Sequence, residues 1–193
     1  DGIKGGWMDG VGARGRWRFF GIDRVTVADA SVRRTRAAVE RRTLWQPADG
    51  FPAIEHRQRL AVVDGVLELR EAVLVPEPLS DLPRIGVRFG LPEGFDALRW
   101  FGPGPGDSYV DRRAAAAIGV WDADLADTSV PYVVPQEHGH RLDVRWAELA
   151  GSATVRIAGD RPLGLNASHH TVAALTAATH DVDLVPSPGI EVH

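Results

Sequence analysis

Alternation of apolar and polar residues recurs along the chain and restricts its fold more than any other feature. In residues 84–91 every second side chain is apolar. A period of two places those side chains on one face of a β-strand, so this segment predicts a half-buried strand. The pattern recurs in five further segments: 25–27, 54–62, 67–69, 141–146 and 155–157. Strands at this spacing predict an all-β fold and favour an antiparallel sandwich.

Turn signals separate these alternating segments. They lie at residues 47–50, 64–65, 76–78 and 91–94. Asp64-Gly65 is the strongest hairpin signal, because a two-residue type I′ turn needs positive φ at both central positions. Helix is scarce: residues 168–178 predict one short helix with a Ser or Thr cap, and residues 14–20 predict a single helical turn.

The composition fits one domain with many turns. The chain has 193 residues, of which 44% are hydrophobic, so residues 1–193 are predicted to form a single domain around one core. Its 21 Gly and 13 Pro exceed average usage and suit a turn-rich fold. The absence of Cys excludes a disulfide scaffold and any thiolate metal site.

The charge pattern argues against two classes of partner. Lys and Arg number 22 against 26 Asp and Glu, and the resulting net charge of −4 is scattered rather than blocked. We therefore predict no nucleic-acid partner and no membrane partner.

The sequence contains neither an apolar run of membrane-span length nor a signal-peptide pattern, and we predict a cytoplasmic location. The chain starts without Met and ends within an alternating pattern, so we expect it to be a piece of a longer protein.

Residues 101–107 form the segment richest in Gly. A phosphate-binding loop works through consecutive backbone N–H donors and usually a Lys. Pro103 and Pro105 remove two of those donors, and no Lys follows. The segment therefore predicts a rigid turn.

Two histidines, His138 and His140, lie two residues apart after Glu137. On a strand this spacing points both imidazoles to one face, where they could bind a divalent metal. A third ligand is missing, since Val144 occupies the position where a cupin-like site would have a carboxylate. Hydrogen-bonded histidines at the edge of a sandwich are the alternative. The adjacent pair His169-His170 diverges on a strand or a helix and is a weaker signal.

The chain has six tryptophans. Indoles pack in hydrophobic cores and also stack on the apolar faces of sugar rings, so some of these residues are candidates for sugar binding. We predict that four or five of the six lie in the core. Trp7 is predicted to be the most exposed, because it lies in a Gly-rich stretch without alternation.

Two segments together resemble the C-terminal domain of large bacterial β-galactosidases, in glycoside hydrolase family 2. Residues 100–112 carry an aromatic residue, G-x-G-P and Y-x-D-R, and residues 131–146 carry P-Y-V-x-P-x-E-x-G-x-R. The residues that match the motifs are interpreted as structural: Gly102, Gly104, Tyr109, Asp111, Arg112, Pro131, Tyr132, Pro135, Glu137, Gly139 and Arg141.

The resemblance implies a large antiparallel β-sandwich of the galactose mutarotase type. The family hydrolyses terminal β-D-galactosides with retention, using two glutamates about 5 Å apart. Those glutamates, with magnesium and sodium, belong to a (β/α)₈ barrel outside this chain. The resemblance thus implies no catalytic residue, metal or cofactor in the chain itself. The implied partners are the other domains of the enzyme, its galactoside substrate and further copies in a homo-oligomer.

The resemblance also implies that residues 1–15 form a loop that enters the domain and moves over the substrate entrance. The residues expected at this mouth are Gly2, Ile3, Lys4, Gly5, Gly6 and Trp7. The six glycines between Gly2 and Gly15 make the segment costly to order, so we predict that it is mobile.

Two alternatives remain open at this point. One is an independent aldose 1-epimerase, in which Glu137 would act with His138 or His140 as a base–acid pair. The other is a plain carbohydrate-binding or protein-interaction sandwich.

Overall fold

A computed structural model describes residues 12–48 and 50–193. These residues form three open antiparallel sheets with two short helices, which confirms the all-β prediction. Backbone contacts divide the chain into two compact units, Asp1–Ile85 and Gly86–His193. The single domain over residues 1–193 stays a prediction. No helix in the described ranges is long and apolar enough to cross a membrane.

The first unit contains a four-stranded meander. Its strands are β1 (Thr26–Arg34), β2 (Ala38–Gln46), β3 (Ile54–Val63) and β4 (Val66–Leu74), paired in chain order. Short 3₁₀ turns lie at Ile22–Arg24 and Glu77–Leu79. Few of the side chains described in this unit are buried, and the buried hydrophobic ones are Ala38, Ile54, Ala61 and Leu79.

The predicted hairpin at Asp64-Gly65 joins β3 to β4. Val63 lies opposite Val66, and the two intervening residues have φ of 50° and 79°. Both values are positive, as a type I′ turn requires. The two-residue hairpin turn predicted at Asp64-Gly65 is therefore confirmed.

The helix α1 (Ala13–Phe20) precedes the first sheet and is longer than the single turn predicted from residue 14. The Trp17 indole N–H donates to the carbonyl oxygen of Asp81 at 2.8 Å, and the Arg16 guanidinium pairs with the carboxylate of that residue. Residues 13–15 are therefore helical, contrary to the prediction of mobile coil for this end of the segment. Residues 2–11, with Trp7, lie outside the described part of the chain.

The second unit contains two sheets and the helix α2 (Val172–Ala177). Four strands are paired in the order β7 (Ala117–Asp124), β6 (Phe95–Gly104), β8 (Arg141–Gly151), β9 (Thr154–Leu165). A small sheet is paired in the order β10 (Ala167–Ser168), β11 (Ile190–Val192), β5 (Phe89–Leu91). The remaining 3₁₀ turns are Ala126–Thr128 and Asp181–Asp183. α2 has a Thr cap, as predicted: the Thr171 side chain accepts the N–H of Ala174, and the helix is shorter than the predicted range 168–178.

Side chains from both sheets of the second unit form its core. The cluster contains Phe95, Leu98, Trp100, Leu125, Val144, Ala147, Leu149, Leu165, Ala167, Ile190 and Val192. Among the five tryptophans that the structure describes, only Trp100 is fully buried, and Trp17, Trp45, Trp121 and Trp146 are half-buried. The prediction of four or five core tryptophans was too high, because four of these five residues remain partly exposed.

The strand predicted for residues 84–91 is mostly wrong. Only Phe89–Leu91 is a strand, and Ile85 and Val87 are 58% and 37% exposed. The partner of this strand, β11, has only three residues and pairs with Phe89–Leu91 alone. An alternating segment forms a strand only where a neighbouring strand supplies backbone hydrogen bonds. Residues 84–88 pair with no strand of the described sheets.

Candidate functional site

The two motif segments meet at the start of β8. Ser108 is fully buried, and its backbone N–H donates to the carbonyl oxygen of His140 at 2.7 Å. Its hydroxyl accepts the N–H of Leu142 at 2.9 Å. Ser108 therefore fastens the chain that follows β6 to the chain that enters β8. We call the residues around this junction, Asp107–Arg112 and Tyr132–Arg141, the motif cluster.

Asp107 and Tyr109 hold the first segment in place. The Asp107 carboxylate pairs with Arg112 at 2.6 Å and accepts the N–H of Gly139 at 3.4 Å. The Tyr109 hydroxyl accepts the N–H of His140 at 3.3 Å, and Arg112 lies over the Tyr109 ring at 5.4 Å. Burial raises the pKa of Tyr109, so this phenol stays protonated near neutral pH.

Arg141 is the most deeply buried charged residue of the cluster. Its guanidinium lies 4.3 Å from the centre of the Trp100 ring and donates to the carbonyl oxygen of Gly139 at 2.7 Å. Its Nε has no hydrogen-bond partner among the described residues. Burial lowers the pKa of Arg141, because desolvation disfavours the charged form. The structural role of Arg141 stays a prediction.

The two glycines of the first motif allow close packing, Gly104 against Trp121 and Gly102 against β8. A Cβ on Gly104 would lie 2.5 Å from the Trp121 ring, and a Cβ on Gly102 would lie 3.0 Å from the backbone of Val144. The Trp121 indole donates to the carbonyl oxygen of Gly102 at 3.1 Å. Residues 101–104 are thus part of β6, which corrects the prediction of a rigid turn beginning at residue 101.

The histidine pair does not lie on a strand, contrary to the arrangement considered for a metal site. Gly139 between them has φ of +77°, so the alternation of a strand does not apply. His138 is buried, and its Nδ1 lies 3.0 Å from the carbonyl oxygen of Gln136, to which it can only donate. His140 packs against the Tyr109 ring. The part of the chain that is described has no group of three or more His, Asp or Glu that could hold a metal ion.

The other predicted residues are less tightly placed. The Tyr132 ring contacts His138 at 6.1 Å between ring centres, and the Arg112 pKa is raised, first by a hydrogen bond with Tyr132. Asp111 and Pro131 are exposed, whereas Pro135 and Glu137 are half-buried. The predicted mouth residues, Gly2, Ile3, Lys4, Gly5, Gly6 and Trp7, lie outside the described residues.

A groove of about 330 Å³ lies beside the motif cluster. Its lining consists of Gly104, Gly106, Asp107, Arg112, Ala115 and Ala116. Asp107 and Arg112 supply its charged groups, and they already pair with each other.

Sequence reasoning missed Asn166, whose side-chain amide donates to the carbonyl oxygen of His138 at 2.8 Å. No local pattern indicates this contact, because Asn166 and His138 are distant in sequence.

Comparison with known proteins accounts for both motif segments. The profile of the family described as "Beta galactosidase small chain" matches residues 8–193. The chain belongs to this family. The small-chain match includes every residue of the motif cluster, and it confirms the resemblance inferred from the motifs.

Named relatives of this small chain are bacterial. It is 33% identical over 182 residues to "Beta-galactosidase" of Arthrobacter sp. (strain B7), an alignment that covers 89% of this chain and 18% of that protein. It is 36% identical over 115 residues to "Beta-galactosidase BgaC" of Bifidobacterium adolescentis, covering 57% of this chain and 11% of that protein. A third relative, "Beta-galactosidase" of Vibrio cholerae, is 28% identical over 181 residues, covering 88% and 16%. The chain spans less than a fifth of each of these relatives.

Proposed function

We propose that this chain is a noncatalytic domain of a β-galactosidase that hydrolyses terminal β-D-galactosides with retention of configuration. The observation that carries the proposal is the small-chain family match over residues 8–193. The relatives that share most of this chain are named β-galactosidases, and it corresponds to 18% of the Arthrobacter protein. Most of such an enzyme lies outside the small chain, and the catalytic carboxylates are proposed to lie there.

The contacts of the motif cluster support a structural role. A retaining glycosidase needs one carboxylate as a nucleophile and another as an acid/base. Asp107, the acidic residue in the lining of the groove, is instead paired with Arg112 at 2.6 Å. We propose that the cluster keeps this part of the small chain rigid, so that the domain can pack on the catalytic barrel and shape the active-site mouth.

Magnesium and sodium are proposed to belong to the rest of the enzyme. The described residues offer no fitting set of His, Asp and Glu ligands for a metal ion.

The proposed partners are the remaining domains, the galactoside bound by the whole enzyme, and further copies in a homo-oligomer. A cytoplasmic location is part of the same proposal. His138, one of the two candidate acids of the epimerase alternative, is buried and directs its Nδ1 at a backbone carbonyl.

The test compares the complete polypeptide with the 193-residue chain at equal molar concentration. We expect the complete polypeptide to release nitrophenol from a nitrophenyl β-D-galactoside, and proton NMR to show β-galactose as the first product. We expect the small chain alone to release none. Hydrolysis by the small chain in proportion to its concentration, persisting through further purification, would show that the domain is catalytic. An inactive complete polypeptide would refute the assignment to β-galactosidases.

A further inference from the structure

One face of the β1–β4 sheet carries five arginines at neighbouring positions. Strand register places Ser31, Arg42, Arg57 and Ala72 in one row across the sheet, and Arg33, Glu40, Arg59 and Arg70 in the next. Residues directly opposite one another share a face. We call the five arginines of these rows, Arg33, Arg42, Arg57, Arg59 and Arg70, the arginine face. They line a groove of about 500 Å³.

Two pairs of arginines lie directly opposite each other on this face. Arg42 faces Arg57 across β2 and β3, and Arg59 faces Arg70 across β3 and β4. Like charges at directly opposite positions repel. A carboxylate between them removes this cost, because each guanidinium then has an opposite charge within hydrogen-bond distance.

The first pair has such a carboxylate. Glu55 Oε1 accepts from Arg42 at 2.6 Å and from Arg57 at 2.9 Å. The hydrogen bonds from Arg57 and Arg42 lower the pKa of Glu55, so the carboxylate is charged at neutral pH. Glu55 therefore bridges the two arginines.

The second pair has no shared carboxylate among the described residues. Arg59 lies 3.8 Å from Glu40, whose other oxygen already accepts two hydrogen bonds from Arg33. Arg70 pairs at 3.2 Å with Glu68 and remains 73% exposed. The position that Glu55 occupies for one pair thus has no counterpart for the other.

We propose that Arg59 and Arg70 bind a carboxylate side chain from another domain of the polypeptide that contains this chain. The inference rests on the proposed function, which makes the small chain one part of a longer enzyme. A free anion would bind Arg59 and Arg70 weakly, because both side chains are open to solvent. A carboxylate on the same polypeptide is present at millimolar effective concentration, so two charge-assisted hydrogen bonds suffice to hold it.

The test introduces a single amine at the site. Arg70→Lys keeps the positive charge, and Lys4 is the only lysine in the 193 residues. Carbodiimide joins an amine to a carboxylate with which it forms an ion pair, and mass spectrometry of the digested complete polypeptide identifies the partner. Arg36→Lys, at an exposed arginine in the turn between β1 and β2, is the matched control.

We expect Arg70→Lys to couple to an Asp or Glu outside residues 1–193, at least several-fold above the control, and Arg59→Lys to reach the same partner. Coupling should fall in 0.5 M NaCl, because salt screens exposed ion pairs. Coupling only to Glu68 or Glu40 would overturn the proposal. So would coupling between copies, which a mixture of ¹⁵N-labelled and unlabelled protein reveals. Nitrophenyl galactoside hydrolysis by the unsubstituted polypeptide tests the proposed function separately.

Discussion

Arg141 and Arg145 lie on the same strand, and the guanidinium of each lies over an aromatic ring. Arg141 is 4.3 Å from the Trp100 ring centre, and Arg145 is 5.0 Å from that of Phe101. They differ in burial, since Arg141 is 2% exposed and Arg145 is open to solvent. A cation held over a ring gains more from the ring when water is excluded.

Truncation of the two arginines should therefore have unequal effects. We expect Arg141→Ala to lower the free energy of unfolding by about 3 kcal/mol, through lost packing, the lost cation–π contact and the carbonyl of Gly139 left without its donor. Arg145→Ala should cost less than about 1 kcal/mol. Urea unfolding followed by far-UV circular dichroism measures both. Equal losses would mean that the burial of Arg141 contributes nothing.

His170 gives the second unit a dependence on pH. Burial, and then the charges of His138 and His169, lower its pKa from the usual 6.5, whereas Asp181 opposes the shift. The folded state therefore binds the proton less readily than the unfolded chain. The contribution of His170 is fully present above about pH 6.5 and is lost as the pH falls below that value.

We expect the free energy of unfolding to decrease between pH 7 and pH 5, and His170→Gln to make that decrease smaller. Urea unfolding at several pH values provides the comparison, with the two proteins matched at pH 7.5, where neither side chain carries a charge. Parallel pH profiles for the two proteins would exclude a role for His170.

At the scale of elements, the β3–β4 hairpin allows the effect of one positive φ angle on stability to be measured. Gly65 has φ of +79°, and a Cβ there would meet nothing within 4 Å. Gly106 also has open space for a Cβ, but its φ is outside the left-handed region. An Ala at each position thus adds the same methyl group without a clash, and only one of the two substitutions strains the backbone.

We expect Gly65→Ala to destabilise the chain by about 1 kcal/mol and Gly106→Ala to leave stability within about 0.5 kcal/mol of the original. The midpoint of urea unfolding at unchanged slope reports the difference. If both variants unfold at the same denaturant concentration, the turn does not depend on the left-handed conformation.

The hairpin also shows which elements a sequence can predict. Its turn residues and its alternation are local, and both were interpreted correctly. Residues 84–91 alternate equally well, yet only Phe89–Leu91 pairs with another strand. The motif segments identified the family, but the roles of their residues depend on distant partners: Gly104 contacts Trp121, and the carbonyl of His138 accepts from Asn166. Contacts of this kind leave no pattern in a single sequence.

At the scale of the whole molecule, burial is unevenly distributed. Among the residues that the structure describes, four buried hydrophobic ones lie in the first unit and twelve in the second. Segments with few buried apolar contacts open more readily, and their amides exchange faster. We expect hydrogen exchange in the 193-residue chain to be faster in β1–β4 than in β6 and β8. Mass spectrometry of exchanged peptides measures this, and equal protection of the two sets of strands would contradict it.

The packing of the Trp121 indole restricts which side chains members of this family can have at neighbouring positions. The indole lies against two glycines, with the Cβ positions of Gly104 and Gly119 at 2.5 Å and 3.2 Å from its ring atoms. A methyl group at residue 104 and an indole at residue 121 exclude each other in this arrangement, whereas a methyl group at residue 119 requires the ring to shift by only a few tenths of an ångström. Substitution should therefore be correlated among relatives: where position 104 has gained a side chain, position 121 should have lost its large ring. An alignment of many small chains would show whether the residues at these two positions covary.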